Sequence, residues 1–573
     1  MPVPATPRLL RPLLLAALLG SVAVPPAGAD VAGPYLAARA ATVANDYAAG
    51  VSYYDRLLAA MPEDRDVQDG ALLTHVAMAD FDRAGALAAV MVTQKNPSQI
   101  ATLVMLAQDA KTGDFAKGIA LLDGGADAGA LVGGLYRAWA LVGEGQMGDA
   151  AKAFDALAQT SGLEGFAFYH KALALALVGD YEGAEKIFTG KYAQVLNGTR
   201  RGILAHVQVL SQLERGPEAI KLLDSSFGPN LDPELTAIRA GLDNKETLPF
   251  TAIRSAADGE AEVFYSVAQA INSDSSTAFA LLHARLASWL RPADGDALLL
   301  CAAILEAQKQ YDLAITTYEQ VPADSPIAHA AKLGQAEVLV QAGRVDDAIG
   351  VLQALAKAHP ELPSVWATLG DDLRRQERYK EAAEAYDKAI ALLGEPEPRD
   401  WFVWYARAIA QERSGQWDKA EPGFREALKL SPEQPSVLNY LGYSYVEKKL
   451  NLDEALDMIK RAVAAQPDQG YIVDSLGWAL YRLGRYDESV VQMEKAVELD
   501  PTEPLLNDHL GDVYWAVGRK REAEFQWRRA LNLGPGEDLD LDRVRKKLDI
   551  GLDAVLKAEG APPLHPATVH AGD

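Results

Sequence analysis

The sequence predicts an all-α fold, an α-solenoid of about fourteen helix hairpins closed by a C-terminal capping helix. Three observations predict it. A small residue recurs about every 34 residues, apolar residues recur three and four positions apart between these points, and Gly, Asp, Asn or Pro separates the segments. This pattern is typical of arrays in which each hairpin buries its apolar face only against its neighbours.

The small residues mark where the second helix of each hairpin approaches the first. All are Ala, Gly or Ser, and successive intervals are 34 or 35 residues except for one of 32, one of 38 and one of 61. Because closely packed helix axes lie about 8–10 Å apart, a larger side chain would separate the two helices. The fourteen positions are Gly50, Ala84, Gly118, Ala150, Ala184, Ala219, Ala280, Ala314, Ala348, Ala382, Ala420, Ala455, Ser489 and Ala523.

The first 29 residues have the features of an export signal. Arg8 and Arg11 precede an apolar run over residues 13–24, and small residues lie before Asp30. The apolar run is shorter than the roughly 20 residues that a membrane span requires. No cysteine that could carry a lipid follows the run. We therefore expect a cleaved signal peptide over residues 1–29, no transmembrane anchor, and a periplasmic protein that is not a lipoprotein.

The remaining residues divide into two repeat arrays. The sequence predicts about six divergent repeats over residues 30–230, an irregular joint with several proline turns over 231–260, and about eight more regular repeats over 261–536. A capping helix is predicted over 537–560, because an apolar stripe that includes Val544, Leu548 and Leu552 would cover the open end of the array. Residues 561–573 contain three prolines and are expected to be disordered.

Composition and motifs exclude several classes of function. The net charge of −24 would repel nucleic-acid phosphates, so we expect no nucleic-acid partner. The only cysteine, Cys301, allows neither an intrachain disulfide nor a thiolate zinc site, and we expect it to be a buried structural thiol. The nine histidines form no His-Glu-x-x-His motif, and neither a glycine-rich phosphate loop nor a Gly-x-Ser-x-Gly motif is present. We predict no enzymatic activity, no cofactor and no metal site.

One stretch near the C-terminus resembles a known repeat family. Leu510-Gly511-x-x-Tyr514, followed by Ala523, Trp527 and Pro535, is similar to the tetratricopeptide repeat (TPR), with Trp where Phe is usual. The same pattern can be followed back to residue 50. The resemblance implies that the first helix of each repeat lines a concave groove that binds extended or helical segments of other proteins.

Helical phase, counted within that resemblance, identifies candidate groove residues in the last four repeats. Aromatic rings offer large contact area at low entropic cost, although any single ring could equally fill the space between adjacent repeats. The interleaved carboxylates favour a partner segment with apolar anchors and some positive charge. The predicted protein-binding residues are Tyr405, Asn439, Tyr440, Tyr443, Tyr471, Asp474, Trp478, Tyr481, Asp508, Asp512 and Trp515.

A narrower resemblance concerns residues 441–445, 452–455 and 471–484. These runs look like those of exported proteobacterial TPR proteins, which include an adaptor lipoprotein that presents cell-wall hydrolases to a carboxyl-terminal processing protease. The resemblance implies a periplasmic adaptor that holds a protease and its substrates together. The absence of a lipid-attachment cysteine is a departure from that adaptor.

Three hypotheses follow from the sequence. The first is a non-catalytic periplasmic scaffold or adaptor that binds protein segments, in cell-envelope complexes or in protease–substrate delivery. The alternative is an envelope-assembly component that binds peptidoglycan or polysaccharide, because aromatic rings also stack on sugars. The third is an enzyme accessory or a hydrolase without a recognisable motif.

Overall fold

The computed structural model describes residues 29–94, 97–228, 231–272, 277–536, 538–562 and 564. Over these residues the chain forms 32 α-helices and no β-strand, which confirms the predicted all-α solenoid. The predicted signal peptide, apart from Ala29, lies outside the described residues, and so does the predicted tail apart from three positions. The chain divides into two compact units, with the boundary between Gly343 and Arg344.

The first unit ends at Gly343, and most of its helices pack mainly against those that precede and follow them. Its helices are α1 Ala29–Val43, α2 Tyr47–Ala60, α3 Arg65–Ala77, α4 Phe81–Thr93, α5 Gln99–Thr112, α6 Phe115–Asp123, α7 Ala130–Gly143, α8 Met147–Leu157, α9 Glu164–Leu177, α10 Tyr181–Phe188, α11 Ala193–Leu196, α12 Arg200–Gln212, α13 Gly216–Phe227, α14 Pro233–Asp243, α15 Ala256–Ile271, α16 Thr277–Leu290, α17 Gly295–Ala307, α18 Tyr311–Glu319 and α19 Ala328–Gln341.

The second unit begins at Arg344 and is a regular series of hairpins followed by two short helices. Its helices are α20 Val345–Ala358, α21 Pro363–Arg375, α22 Tyr379–Leu392, α23 Trp401–Arg413, α24 Trp417–Leu430, α25 Pro435–Lys448, α26 Leu452–Ala465, α27 Gly470–Arg482, α28 Tyr486–Leu499, α29 Pro504–Ala516, α30 Lys520–Leu533, α31 Leu541–Ile550 and α32 Leu552–Ala558. None of the helices in the described part of the chain has both the length and the apolarity needed to cross a membrane.

The fourteen small residues have the place that the repeat period predicts. Each lies in the helix that follows the first helix of its repeat along the chain, and each is buried. Opposite them, glycines of the first helices leave room for large side chains of the second. A Cβ atom on Gly370 would lie 2.7 Å from the Tyr386 ring, and one on Gly477 would lie 2.8 Å from Cγ of Met493. Small residues on both helices therefore set the close spacing of the hairpins.

Helix α15 shows why the boundary between the units differs from the predicted joint at 231–260. This helix contacts α5, α7 and α9, and α16 contacts α3 and α5. The Tyr47 hydroxyl donates to the side-chain oxygen of Gln308 at 2.8 Å, and the Arg285 guanidinium donates to the carbonyl of Ala77 at 3.1 Å. Helices α15 and α16 thus pack back onto the first repeats, and the first unit continues to Gly343.

One of the buried residues of α15 is acidic. The Glu260 side chain is fully buried, and both carboxyl oxygens lack a hydrogen-bond partner among the described residues. Burial raises the pKa of Glu260 well above its ordinary value. The Tyr136 hydroxyl on α7 is also buried without a partner among the described residues, and burial is the largest cause of the raised pKa of Tyr136. Burial without a partner therefore favours the protonated, neutral form of Glu260 in the folded unit.

We expect Glu260→Gln to flatten the dependence of stability on pH. Because the folded pKa lies above the unfolded one, the wild-type contribution is fully present below about pH 4.5 and is lost as pH rises through the folded pKa. Glutamine has nearly the same shape and does not titrate. Thermal unfolding from pH 4 to pH 8 measures the effect: the variant should lose less stability above pH 4.5 than the wild type. Parallel curves would contradict the assignment of a neutral Glu260.

The capping segment consists of two helices instead of the single predicted one. The break between α31 and α32 lies at Gly551, whose φ of 80° is in the left-handed region that favours glycine. A Cβ atom there would also lie 2.7 Å from the Trp515 ring. Val544 and Leu552 are fully buried against the last hairpin, so the two helices cover its apolar face.

Candidate functional site

The eleven predicted groove residues form one strip along the second unit. They lie on α23, α25, α27 and α29, the first helices of four consecutive hairpins. Side-chain contacts connect each of these four helices to the next one in the series. The Tyr405 and Tyr440 rings are 6.0 Å apart, Trp478 Nε1 donates to Glu447 of α25 at 2.6 Å, and His509 Nδ1 bonds to Asp474 at 3.0 Å. The strip is therefore continuous, but its parts differ in exposure.

The strip is partly open over α23, α25 and the start of α27. Tyr405, Tyr440 and Tyr443 are half-buried, and Tyr471 is 50% exposed. Phe402, which the sequence prediction missed, is 42% exposed, and its ring centroid lies 6.4 Å from that of Tyr405. Its position three residues before Tyr405, on the same helix face, was the available signal. We call Phe402, Tyr405, Tyr440, Tyr443 and Tyr471 the open aromatic surface.

The middle of the strip is used in packing between hairpins. Trp478 is 8% exposed and stacks on His509 at 4.0 Å and on Tyr481 at 4.9 Å. Burial lowers the pKa of His509, but the charge and hydrogen bond of Asp474, together with the charges of Asp508 and Asp512, outweigh that effect and raise the pKa above its ordinary value. Asn439 is buried as well. These side chains hold α25, α27 and α29 together and offer little surface to a partner.

The acidic end of the strip is covered by the chain itself. Lys547 of α31 is fully buried, and its Nζ contacts Asp508 at 2.7 Å and Asp512 at 2.6 Å. Asp512 also accepts the indole N–H of Trp527 at 2.9 Å. Burial and the neighbouring Asp512 raise the pKa of Asp508, since two carboxylates share one ammonium group. The sequence prediction left these carboxylates free for a partner, and the structure differs because the capping helix supplies the counter-ion.

The covering segment extends along the strip. Trp515 Nε1 donates to Asp553 of α32 at 2.9 Å, and the Arg413 guanidinium of α23 pairs with Asp538 at 2.8 and 2.9 Å. Residues 538–553 therefore contact both ends of the strip. Of the eleven predicted residues, the structure leaves four tyrosines on a partly open surface and engages the others in packing.

In the histidine–serine contact of the first unit, the hydrogen bond runs in the wrong direction for catalysis. Trp139 Nε1, which can only donate, bonds to His170 Nδ1 at 3.1 Å. Burial lowers the pKa of His170 to about 3, so the ring is neutral and carries its proton on Nε2. Nε2 therefore donates to Ser266 Oγ at 3.3 Å. A serine nucleophile needs the opposite, a base that accepts its proton.

Two further features of the molecule are the arrangement of possible metal ligands and the single thiol, Cys301. No group of three or more His, Cys, Asp or Glu side chains is arranged to hold a metal ion within the part of the chain that the structure describes. Cys301 is fully buried, and burial raises the pKa of its thiol. A buried, protonated thiol is a structural residue, as the sequence predicted.

The fold and the strip define a class of protein, an α-helical repeat scaffold that presents a surface along its first helices. Tetratricopeptide repeat models match residues 307–371, 367–435, 405–469 and 473–503. The chain thus contains tetratricopeptide repeats over these residues. Such repeats indicate a scaffold for protein–protein interaction, and the fold is typically non-catalytic.

Two curated proteins and one solved structure illustrate the similarity. A TPR repeat-containing protein of Pseudomonas aeruginosa is 30% identical over 186 residues, which cover 32% of this chain and 30% of that protein. Cellulose synthase operon protein C of Xanthomonas axonopodis pv. citri is 27% identical over 194 residues, 30% of this chain and 13% of that protein. A tetratricopeptide repeat protein from Parabacteroides merdae aligns with 45% of this chain and 98% of that chain, with 13% identity and a TM-score of 0.38. This chain spans less than a third of either curated relative.

Proposed function

We propose that the protein is an exported periplasmic scaffold that binds a segment of another protein on the open aromatic surface. One observation carries the proposal: the aromatic residues from Phe402 to Tyr471 stay partly exposed, although the rest of the strip is engaged by the chain itself. A contiguous exposed apolar patch with a polar rim is typical of an interaction site, and tyrosine is enriched where binding energy concentrates.

Charges at the rim of this surface are already paired. Glu412 contacts Lys448 at 2.9 Å and lies 3.4 Å from the Tyr440 hydroxyl, and Arg413 is paired with Asp538. Rim charges that are paired and exposed contribute little affinity, so apolar anchors of the partner supply most of it. The net charge of −24 favours partner segments with lysine or arginine around those anchors, because it speeds their association.

An adaptor role in the cell envelope is the most specific form of this proposal. The export-like residues 1–29 and the similarity of residues 441–484 to exported adaptors support it, including delivery of substrates to a protease. The second candidate is binding of peptidoglycan or another polysaccharide by the same rings. The name of the Xanthomonas relative, cellulose synthase operon protein C, supports this second candidate.

We expect Tyr471→Ala and Phe402→Ala each to weaken binding of the protein partner at least tenfold, because each removes an exposed ring from the contact. The partner is first captured from periplasmic extract on the immobilised full chain, and its affinity for each purified variant is then measured by calorimetry. Phe525→Ala is the matched control, since this ring is 62% exposed on α30 and outside the surface. Its affinity should equal that of the wild type.

The same variants separate the two candidates. Loss of the protein partner with unchanged retention on insoluble peptidoglycan supports the scaffold. Lost glycan retention with unchanged protein partners supports the polysaccharide candidate. Wild-type affinity of both variants for every captured protein and glycan would refute the open aromatic surface as the site.

A further inference from the structure

The first unit contains a cavity of about 710 Å³ between α9, α12 and α15. Four aromatic side chains line it: Phe166 and Tyr169 on α9, Tyr192 before α11 and Tyr265 on α15. The volume lies within the range of about 300–1,000 Å³ that is usual for sites of small organic molecules. None of these residues belongs to the open aromatic surface, so the cavity is a separate feature.

Arg201, which lines the cavity, has no N–H group left to donate to an anionic ligand. Arg201 Nε donates to Glu262, one terminal nitrogen donates to Asp294 at 3.0 Å and to Asp296 at 3.2 Å, and the other donates to Asp294 at 2.9 Å and to Glu262. These five bonds use all five N–H groups of the guanidinium. A carboxylate or phosphate entering the cavity would find carboxylates and no free donor on Arg201.

The cavity favours positive charge for two reasons. Glu164 and Glu262 both line it, and Glu164 uses only Oε2, which accepts the backbone N–H of Gly162 at 2.7 Å. Two of the four rings already contact cations of the chain, since Arg201 lies 4.2 Å from the ring centroid of Tyr265 and Lys191 lies 5.0 Å from that of Tyr192. The ring of Phe166 and the second carboxylate oxygen of Glu164 therefore supply the attraction for an ammonium group of a ligand.

We propose that this cavity binds an organic cation, an amine or quaternary ammonium compound with an apolar body. The apolar body lies against Phe166, Tyr169 and Tyr265, and the positive charge lies near Glu164. Neither the tetratricopeptide fold nor the open aromatic surface requires this site, so it goes beyond the proposed scaffold function.

Three dyes of similar size and different charge test the proposal on the full chain. Thioflavin T is cationic, Nile red is neutral and 8-anilinonaphthalene-1-sulfonate is anionic. Fluorescence titration should show saturable binding of one thioflavin T per chain, with at least tenfold weaker binding of the anionic dye. Equal affinity for the cationic and anionic dyes would overturn the proposal.

Two variants locate the site. Gln269 is exposed on α15 and lines the cavity, so Gln269→Trp should fill it and weaken thioflavin T binding at least tenfold without lowering the melting temperature. Glu164→Gln should weaken thioflavin T several-fold and leave Nile red unchanged. Phe525→Ala and Tyr471→Ala should bind thioflavin T like the wild type. Wild-type binding by Gln269→Trp would overturn the proposal, while loss of binding in Tyr471→Ala would place the dye on the open aromatic surface instead.

Discussion

Lys547→Met should destabilise the second unit by about 3–5 kcal/mol, since removing one partner of a buried ion pair leaves uncompensated charge in the interior. Methionine fills the space of the lysine stem but leaves Asp508 and Asp512 without the ammonium group that both contact. Denaturant unfolding followed by tryptophan fluorescence measures the loss. Seven of the nine tryptophans follow Arg344, so the signal reports mainly on this unit.

Lys546→Met is the matched control for this experiment. Lys546 precedes Lys547 on the same helix and is exposed, so its substitution should change stability by no more than about 0.5 kcal/mol. Adding Asp508→Asn to Lys547→Met should recover part of the loss, because the charge of Asp508 then disappears while Asp512 keeps Arg543 at 3.5 Å. Equal stability of Lys547→Met and wild type would show that α31 does not depend on this ion pair.

Gly118→Ala should destabilise the first unit by about 3 kcal/mol, near the upper end of the cost of overpacking a core. A Cβ atom on Gly118 would overlap the ring and hydroxyl of Tyr136, which is fully buried and would have to shift within the packed core. Calorimetry should show a lower melting temperature. A lower stability would point to close packing, because replacing Gly by Ala inside a helix otherwise stabilises it by about 1 kcal/mol.

Gly148→Ala supplies the contrasting case in the same unit. Gly148 lies in the first turn of α8, is exposed, and has no atom within 4 Å of the position that a Cβ would take. We expect this variant to be as stable as the wild type or more stable by up to about 1 kcal/mol. If both alanine variants raised the melting temperature, close packing of Gly118 against Tyr136 would not be what selects glycine at this repeat position.

Helical phase predicted where the groove residues lie on their helices but did not predict their exposure. Phase placed Tyr405, Tyr440 and Tyr471 on the first helices, where the structure has them, because the position of a residue around a helix depends only on its place in the chain. Phase could not show that Lys547 and Asp553 cover Asp508 and Trp515, since those contacts join residues 38 or 39 positions apart. Exposure, and therefore availability to a partner, depends on what packs above a residue.

Local pattern was enough to establish the repeat architecture. The spacing of small residues reflects the contact between two helices of one hairpin, which are close in the chain, so the period appears directly in the amino-acid order. Tertiary structure alone decided that α15 packs back onto α7, that Glu260 is fully buried, and that the C-terminal helices occupy the acidic end of the strip. These features depend on distant segments meeting. Their energies come from burial and charge pairing in three dimensions, which no local period records.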